Sequence, residues 1–92
     1  MHELSIAQAI IDVATRYAYG RRVVKIEVRV GEQRAVERES LDFAFTLLTP
    51  GTALDGSELE VASAPGEELF VEALELEEEP QRDARVSRSS AS

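Results

Sequence analysis

The sequence predicts an α+β domain in which two helices pack on one face of a three-stranded sheet, in the order α-β-α-β-β. Three observations support this: apolar residues recur at helical spacing in two segments, alternate with polar residues in three others, and turn residues separate the segments. The chain has 92 residues, 43% hydrophobic and 30% charged, which suits one small globular domain. We expect this domain over residues 1–77, followed by a disordered acidic and Ser-rich tail at 78–92.

The first segment, residues 4–19, is predicted to be an amphipathic helix. Its apolar stripe recurs at three- and four-residue spacing and consists of Leu4, Ala7, Ile10, Ile11, Ala14, Tyr17 and Ala18. Gly20 follows the last turn, where glycine commonly ends a helix. We therefore expect the stripe to lie in the core rather than on a partner-binding surface.

A strand and a second helix follow. In the strand, the apolar residues Val24, Ile26, Val28 and Val30 alternate with the charged residues Lys25, Glu27 and Arg29. Gly31 ends this strand, and a polar connection at 32–35 leads to the helix. The inward face of that helix is formed by Leu41, Ala44, Phe45 and Leu48, with Val36 leading in. Pro50 ends the helix, because proline cannot continue the hydrogen-bond ladder.

Two strands close the predicted domain. The first alternates around Leu59 and Val61, and the second has Leu69, Val71 and Ala73 in phase before shifting to Leu74 and Leu76. A one-residue phase shift predicts a β-bulge. The turn Ala64-Pro65-Gly66 predicts that the two strands form a hairpin. We expect the last strand to be central, which makes every pairing antiparallel, and the strand–helix–strand unit to cross over with the right hand.

Opposite charges on the outward faces of the strands are expected to pair within one sheet. Lys25 and Arg29 belong to the first strand, whereas Glu58, Glu60 and Glu72 belong to the later strands. Each such cross-strand pair contributes a few tenths of a kcal/mol.

Composition and charge exclude several classes of function. The net charge of −8 argues against nucleic acid and anionic membranes as partners. No apolar run approaches the roughly 20 residues of a membrane span, and the start lacks the basic region of a signal peptide, so we expect a cytoplasmic protein. The absence of cysteine excludes disulfides and Cys-based metal sites. No nucleophile is paired with an activating base, so we do not expect an enzyme.

The amino terminus is where the residues themselves suggest metal chemistry. In a free Met1-His2 terminus, the α-amine of Met1, the backbone amide of His2 and its imidazole can close adjacent chelate rings on one metal ion. Planar nitrogen ligation of this kind suits Ni(II) or Cu(II) better than Zn(II). A lone histidine near a chain end is also commonly without function. The residues alone leave both interpretations open.

The sequence resembles the HypA family of hydrogenase nickel-incorporation proteins over residues 1–77. The resemblance is carried by MHELSIAQ at 1–8, VRVGE at 28–32, ESLDFAF at 39–45, GT at 51–52, GSELEV at 56–61, GEEL at 66–69 and LELE at 74–77. It implies a nickel metallochaperone that works with a maturation GTPase of the HypB type and serves the large subunit of nickel–iron hydrogenase. By this resemblance, Met1, His2 and Glu3 hold Ni(II) through the terminal amine, the histidine and a neighbouring backbone nitrogen.

The chain departs from the family pattern where a zinc module is expected. That module carries two Cys-x-x-Cys pairs between the last two strands, whereas here residues 64–66 join these strands directly and no cysteine is present. We therefore expect Ni(II) but no zinc, with the closing hairpin in place of the zinc domain. Residues 33–35 and Arg38 also differ from the family pattern. These differences leave the identity of a further side-chain ligand for Ni(II) open. Glu37 and Glu39 are candidates because they lie in the loop and helix that follow.

Two alternatives to nickel carriage stay open. In one, the chain is a metal-independent interaction module that docks on the GTPase or the hydrogenase, or forms a homodimer, and retains only the fold. In the other, a shortened gene product has kept the fold and lost its role.

Overall fold

The structure is a computed structural model that describes residues 2–78, and the predicted α+β class is confirmed. Its helices are α1 (Glu3–Ala18) and α2 (Arg38–Leu48), and its strands are β1 (Val23–Gly31), β2 (Glu58–Ala64) and β3 (Leu69–Leu76). A short 3₁₀ helix, Glu32–Arg34, follows β1. The predicted disordered tail lies outside the described residues apart from residue 78, and the proposed domain boundary stays a prediction.

One core joins the sheet to both helices. Its buried residues are Ile6, Ala7, Ile10, Ile11, Ala14 and Ala18 of α1, Val23, Ile26, Val28 and Val30 of β1, Leu41, Ala44 and Phe45 of α2, and Leu54. Leu54, in the connection between α2 and β2, is completely buried, and the N–H of Val23 donates to the carbonyl oxygen of Ala53 at 2.9 Å. The connection before β2 is therefore part of the core. Within residues 2–78, neither helix has the length and apolar character of a membrane span.

The apolar stripe of α1 is buried apart from one residue near each end. Leu4 is 50% exposed and Tyr17 is 57% exposed, although Ile6 and Ala14 are completely buried. The prediction that the whole stripe lies in the core was therefore wrong for these two residues. Ala18, also at the end of the stripe, is 1% exposed, so the exposure is confined to these two side chains.

The strand order differs from the prediction. The central strand is β1, not β3, and the order is β2-β1-β3. β1 runs parallel to β2, with Ile26 opposite Leu59, and antiparallel to β3, with Ile26 opposite Leu74. The expected all-antiparallel sheet was wrong, because the connection through α2 returns the chain in the same direction as β1. The handedness of this crossover stays a prediction.

The predicted hairpin between β2 and β3 was also wrong. These strands lie on opposite sides of β1, so the connection at 65–68 crosses the end of β1. There the N–H of Gly31 donates to the carbonyl oxygen of Glu68. A Cβ atom on Gly31 would lie 2.5 Å from the backbone nitrogen of Glu68, so glycine is what lets the connection pass. The turn itself is present, with Gly66 at a φ of 74°.

The outer face of the sheet carries cross-strand charge pairs, as predicted. Lys25 Nζ lies 3.4 Å from Glu60 Oε2 of β2, and Arg29 Nε lies 3.1 Å from Glu72 Oε1 of β3. The central strand therefore supplies the cations, and the two edge strands supply the carboxylates.

The predicted β-bulge is confirmed in β3. Glu27 pairs with Ala73 whereas the next residue of β1, Val28, pairs with Val71, so Glu72 is the extra residue. Ala73, predicted to be in phase with Val71, is exposed. After the bulge, the side chains of Leu74 and Leu76 pack against the core on the inner face of the sheet.

Candidate metal centre

His2 lies at the N-cap position of α1 and is exposed. Its backbone is extended, with φ −77° and ψ 144°, and its carbonyl oxygen accepts a hydrogen bond from the N–H of Ile6 at 3.1 Å. The imidazole makes no capping hydrogen bond to the helix. Because the helix does not use the imidazole, its nitrogens are accessible to a metal ion.

The start of α1 also places backbone nitrogens outside the helical ladder. The first N–H groups of an α-helix have no intrahelical acceptor, and the N–H of Ile6 is the one that bonds back to His2. The backbone nitrogen of Glu3 therefore lies directly after His2 and outside that ladder. It is the type of donor that the family resemblance assigns to Glu3.

The side chain of Glu3 connects the starts of the two helices. Its Oε2 accepts a hydrogen bond from the backbone N–H of Glu37 at 2.9 Å. This bond lowers the pKa of Glu3 below its ordinary value, and the backbone N–H of Glu3 itself and the charge of His2 act in the same direction. Glu3 is therefore a carboxylate anion held against the start of α2.

Glu37 is the residue at the start of α2 whose backbone the fold brings to Glu3. It caps α2: its Oε1 accepts hydrogen bonds from the backbone N–H of Ser40 at 3.2 Å and from the Ser40 hydroxyl at 2.9 Å. Its backbone meets Glu3, whereas Glu39 is exposed in the first turn of α2. Of the two candidates that the sequence left open, Glu37 is the one in contact with the start of α1.

A groove of about 410 Å³ borders His2 between the first turn of α1 and α2. Three large apolar side chains line it, and Leu4, Phe43 and Leu47 are 50%, 69% and 61% exposed. The sequence reasoning missed this surface because Leu4 was assigned to the core. The signal was present in α2, where Phe43 and Leu47 repeat at four-residue spacing away from the inward face.

Two of the three predicted nickel-binding residues can be placed. His2 and Glu3 are adjacent at the start of α1, and Met1 lies outside the described residues. Across residues 2–78, no group of three or more His, Asp and Glu side chains is arranged to hold a metal ion.

Comparison with known protein families identifies the family of this chain. The family described as "Hydrogenase/urease nickel incorporation, metallochaperone, hypA" matches residues 1–76. The chain belongs to the HypA family.

Curated relatives carry the name hydrogenase maturation factor HypA. The protein from Nostoc sp. is 36% identical over 66 residues, which cover 72% of this chain and 58% of that protein. The protein from Geotalea daltonii is 40% identical over 65 residues, which cover 71% of this chain and 59% of that protein. The chain thus matches less than two thirds of the length of these relatives.

The fold is also similar to a solved structure. The solution structure of the Ni metallochaperone HypA from Helicobacter pylori matches with a TM-score of 0.62 and 17% sequence identity, covering 79% of this chain and 72% of that chain. At this level of identity the match shows a shared fold.

Proposed function

We propose that this chain is a nickel metallochaperone of the HypA type, which binds Ni(II) at its amino terminus and delivers it during maturation of nickel–iron hydrogenase. Family membership supports nickel as the cargo. The observation that carries the site is His2, exposed at the start of α1 with an imidazole that caps nothing. The role is metal delivery rather than catalysis.

In the proposed site, Ni(II) is held by nitrogen atoms. These are the α-amine of Met1, the imidazole and backbone nitrogen of His2, and the backbone nitrogen of Glu3. Nitrogen donors in one plane suit Ni(II), and a donor must lose its proton before it binds metal. Nickel affinity therefore rises with pH. The carboxylate of Glu3 is engaged with Glu37 and positions the terminus.

The proposed partners follow from the family. They are a maturation GTPase of the HypB type and the large subunit of the hydrogenase. The apolar groove formed by Leu4, Phe43 and Leu47 beside His2 offers such a partner a contact surface next to the metal. The cytoplasmic location and the lack of bound zinc stay predictions.

The test is a Ni(II) titration of the tag-free protein by calorimetry and visible absorption, after intact-mass measurement of the terminus. Two variants remove donors: His2→Ala, and a protein with one glycine added before Met1. Each is expected to weaken Ni(II) binding by more than the roughly 10–100-fold that loss of an outer-shell partner costs. Ser5→Ala is the matched control, because it changes an exposed residue of the same helical turn and removes no donor.

Equal nickel binding by all four proteins would show that the metal lies elsewhere. Nickel binding by a mature protein whose Met1 is removed or blocked would also contradict the proposed site.

A metal-independent interaction module is the second candidate, and the exposed groove beside His2 favours it. Pull-down of the purified GTPase, together with a hydrogenase maturation assay, separates the two functions. Under nickel carriage, His2→Ala retains docking but lowers nickel-dependent maturation. Under the interaction module, His2→Ala leaves both unchanged and Phe43→Ser lowers both.

A further inference from the structure

β3 is an edge strand of the sheet. It pairs with β1 on one side, and within the described residues no strand pairs with its other side. That side presents a row of backbone N–H and C=O groups, which is a template for another strand. The edge lies beside a groove of about 510 Å³ between α1 and β3, lined by Val13, Tyr17, Val71, Leu74 and Leu76 among others.

Tyr17 shows that this side of the domain is incompletely covered. Tyr17 is 57% exposed, although Ala14 and Ala18 on the same stripe are 0% and 1% exposed. A strand added beside β3 would place its inward side chains in the groove, against Val13 and Tyr17. It would therefore cover the end of the α1 stripe that the described residues leave open.

The outer face of β3 is acidic. Glu72 and Glu75 are exposed there; Arg29 pairs with Glu72, and Lys25, which stands opposite Glu75, pairs with Glu60 of β2 instead. A strand beside β3 would place its outward side chains next to these carboxylates. Lysine or arginine at those positions is favourable, and acidic residues are unfavourable. A second copy of β3 would bring the same two carboxylates, which argues against self-pairing.

We propose that the β3 edge binds an extended basic segment of a partner protein, which joins the sheet as a fourth strand. Apolar side chains of that segment enter the groove at Tyr17, and alternate lysine or arginine side chains pair with Glu72 and Glu75. Tyr17 and His2 are separated by about 22 Å along α1, at 1.5 Å per residue. The strand site is thus independent of nickel binding at the terminus.

The bulge at Glu72 sets the length of the contact. Its extra residue interrupts β3, so the continuous run whose backbone pairs with the added segment is residues 73–76, and Glu72 meets the side chain just beyond that run. A contact this short is suited to a weak and reversible interaction.

The probe is a capped, fluorescein-labelled peptide of sequence KVKVKVK, titrated by fluorescence anisotropy and mapped on the isotope-labelled protein by NMR. We expect saturable binding with amide shifts confined to β3 and the last turns of α1. The same peptide, N-methylated along one edge, keeps its charge but loses strand hydrogen bonds, and it should bind about tenfold more weakly. The acidic peptide EVEVEVE should not bind.

Two matched variants test the charge complementarity. Glu75→Gln and Glu39→Gln each remove one exposed carboxylate, the first on β3 and the second on α2. Glu75→Gln is expected to weaken binding of KVKVKVK about two- to fivefold, whereas Glu39→Gln has no effect. Circular dichroism checks that both variants remain folded.

Three outcomes would overturn the proposal. If N-methylation has no effect, or both variants weaken binding equally, the peptide is attracted only by the overall negative charge. If the shifts map to Phe43 and Leu47, the groove beside His2 is the docking surface. A dimer by analytical ultracentrifugation whose interface maps to β3 would make a second copy the occupant.

Discussion

The two ends of α1 are exposed for different physical reasons. At the first turn, Leu4 is exposed although the turn is tied to α2 through the hydrogen bond from the N–H of Glu37 to Glu3. At the last turn, Tyr17 is exposed because β3 beside it is an edge strand. The first end is held by a polar contact next to His2, the proposed nickel ligand, and the second borders an open row of backbone groups.

This difference shows what an apolar stripe does and does not specify. The stripe orients α1, and its middle, from Ile6 to Ala14, is buried against the shared core. It does not specify how far that core extends along the 16 residues of the helix. The exposed apolar residue at each end belongs to a proposed docking surface, and its neighbours determine which kind of partner that surface would suit.

The largest expected effect on stability comes from the buried middle of α1, between the two exposed ends. Ile10 is 2% exposed in the centre of the stripe, so Ile10→Ala removes a buried side chain and leaves a cavity. We expect the free energy of unfolding to fall by about 2–5 kcal/mol. Urea denaturation measures it, with Gln8→Ala, an exposed change on the same helix, expected within about 0.5 kcal/mol of the parent. Equal effects of the two changes would mean that α1 does not pack on the sheet as described.

A smaller effect on stability is expected from Glu3→Gln, which changes only the first turn of α1. The hydrogen bond from the Glu37 N–H lowers the pKa of Glu3 in the folded state below its ordinary value of 4.5. The ionised carboxylate therefore stabilises the folded state at pH values above 4.5. That contribution is lost as the pH falls through the lower folded pKa. At neutral pH, Glu3→Gln should therefore unfold at a lower urea concentration than the parent, and the two midpoints should converge as the pH falls below 4.5.

Urea midpoints measured from about pH 7 to pH 3 test this prediction. Binding of KVKVKVK to both proteins at neutral pH is the control and should be equal, because Glu3 lies at the opposite end of α1 from Tyr17. A difference between the midpoints that widens as the pH falls would reverse the sign of the linkage and contradict the anchoring role of Glu3.

Local patterns predicted the elements well because each depends on neighbouring residues. Helical spacing indicated α1, the alternation around Ile26 indicated β1, and the phase shift between Val71 and Leu74 indicated the bulge. His2 was also identified from the sequence, since its chemistry depends on its position next to the chain start. Its imidazole is accessible, in agreement with that hypothesis, and nickel binding itself stays a proposal.

Contacts between distant segments were not predictable in the same way. The sequence around Pro65 is compatible with a hairpin or with a connection that crosses a third strand. The choice depends on Gly31, more than 30 residues earlier, whose missing side chain lets the connection pass. The contact between Glu3 and Glu37 is equally remote along the chain. Neither pairing leaves a periodic signal in the sequence.

Two substitutions with the smallest expected effect on stability distinguish the two exposed ends by their effects on binding. Phe43→Ser and Tyr17→Ser remove side chains that are 69% and 57% exposed, so each should change the free energy of unfolding by no more than about 0.5 kcal/mol. Tyr17→Ser should weaken binding of KVKVKVK and leave docking of the GTPase intact, whereas Phe43→Ser should do the reverse. Urea denaturation, anisotropy and pull-down of both variants measure this. If either variant loses much more stability, that side chain belongs to the core, and if either impairs both interactions, the two ends form one surface.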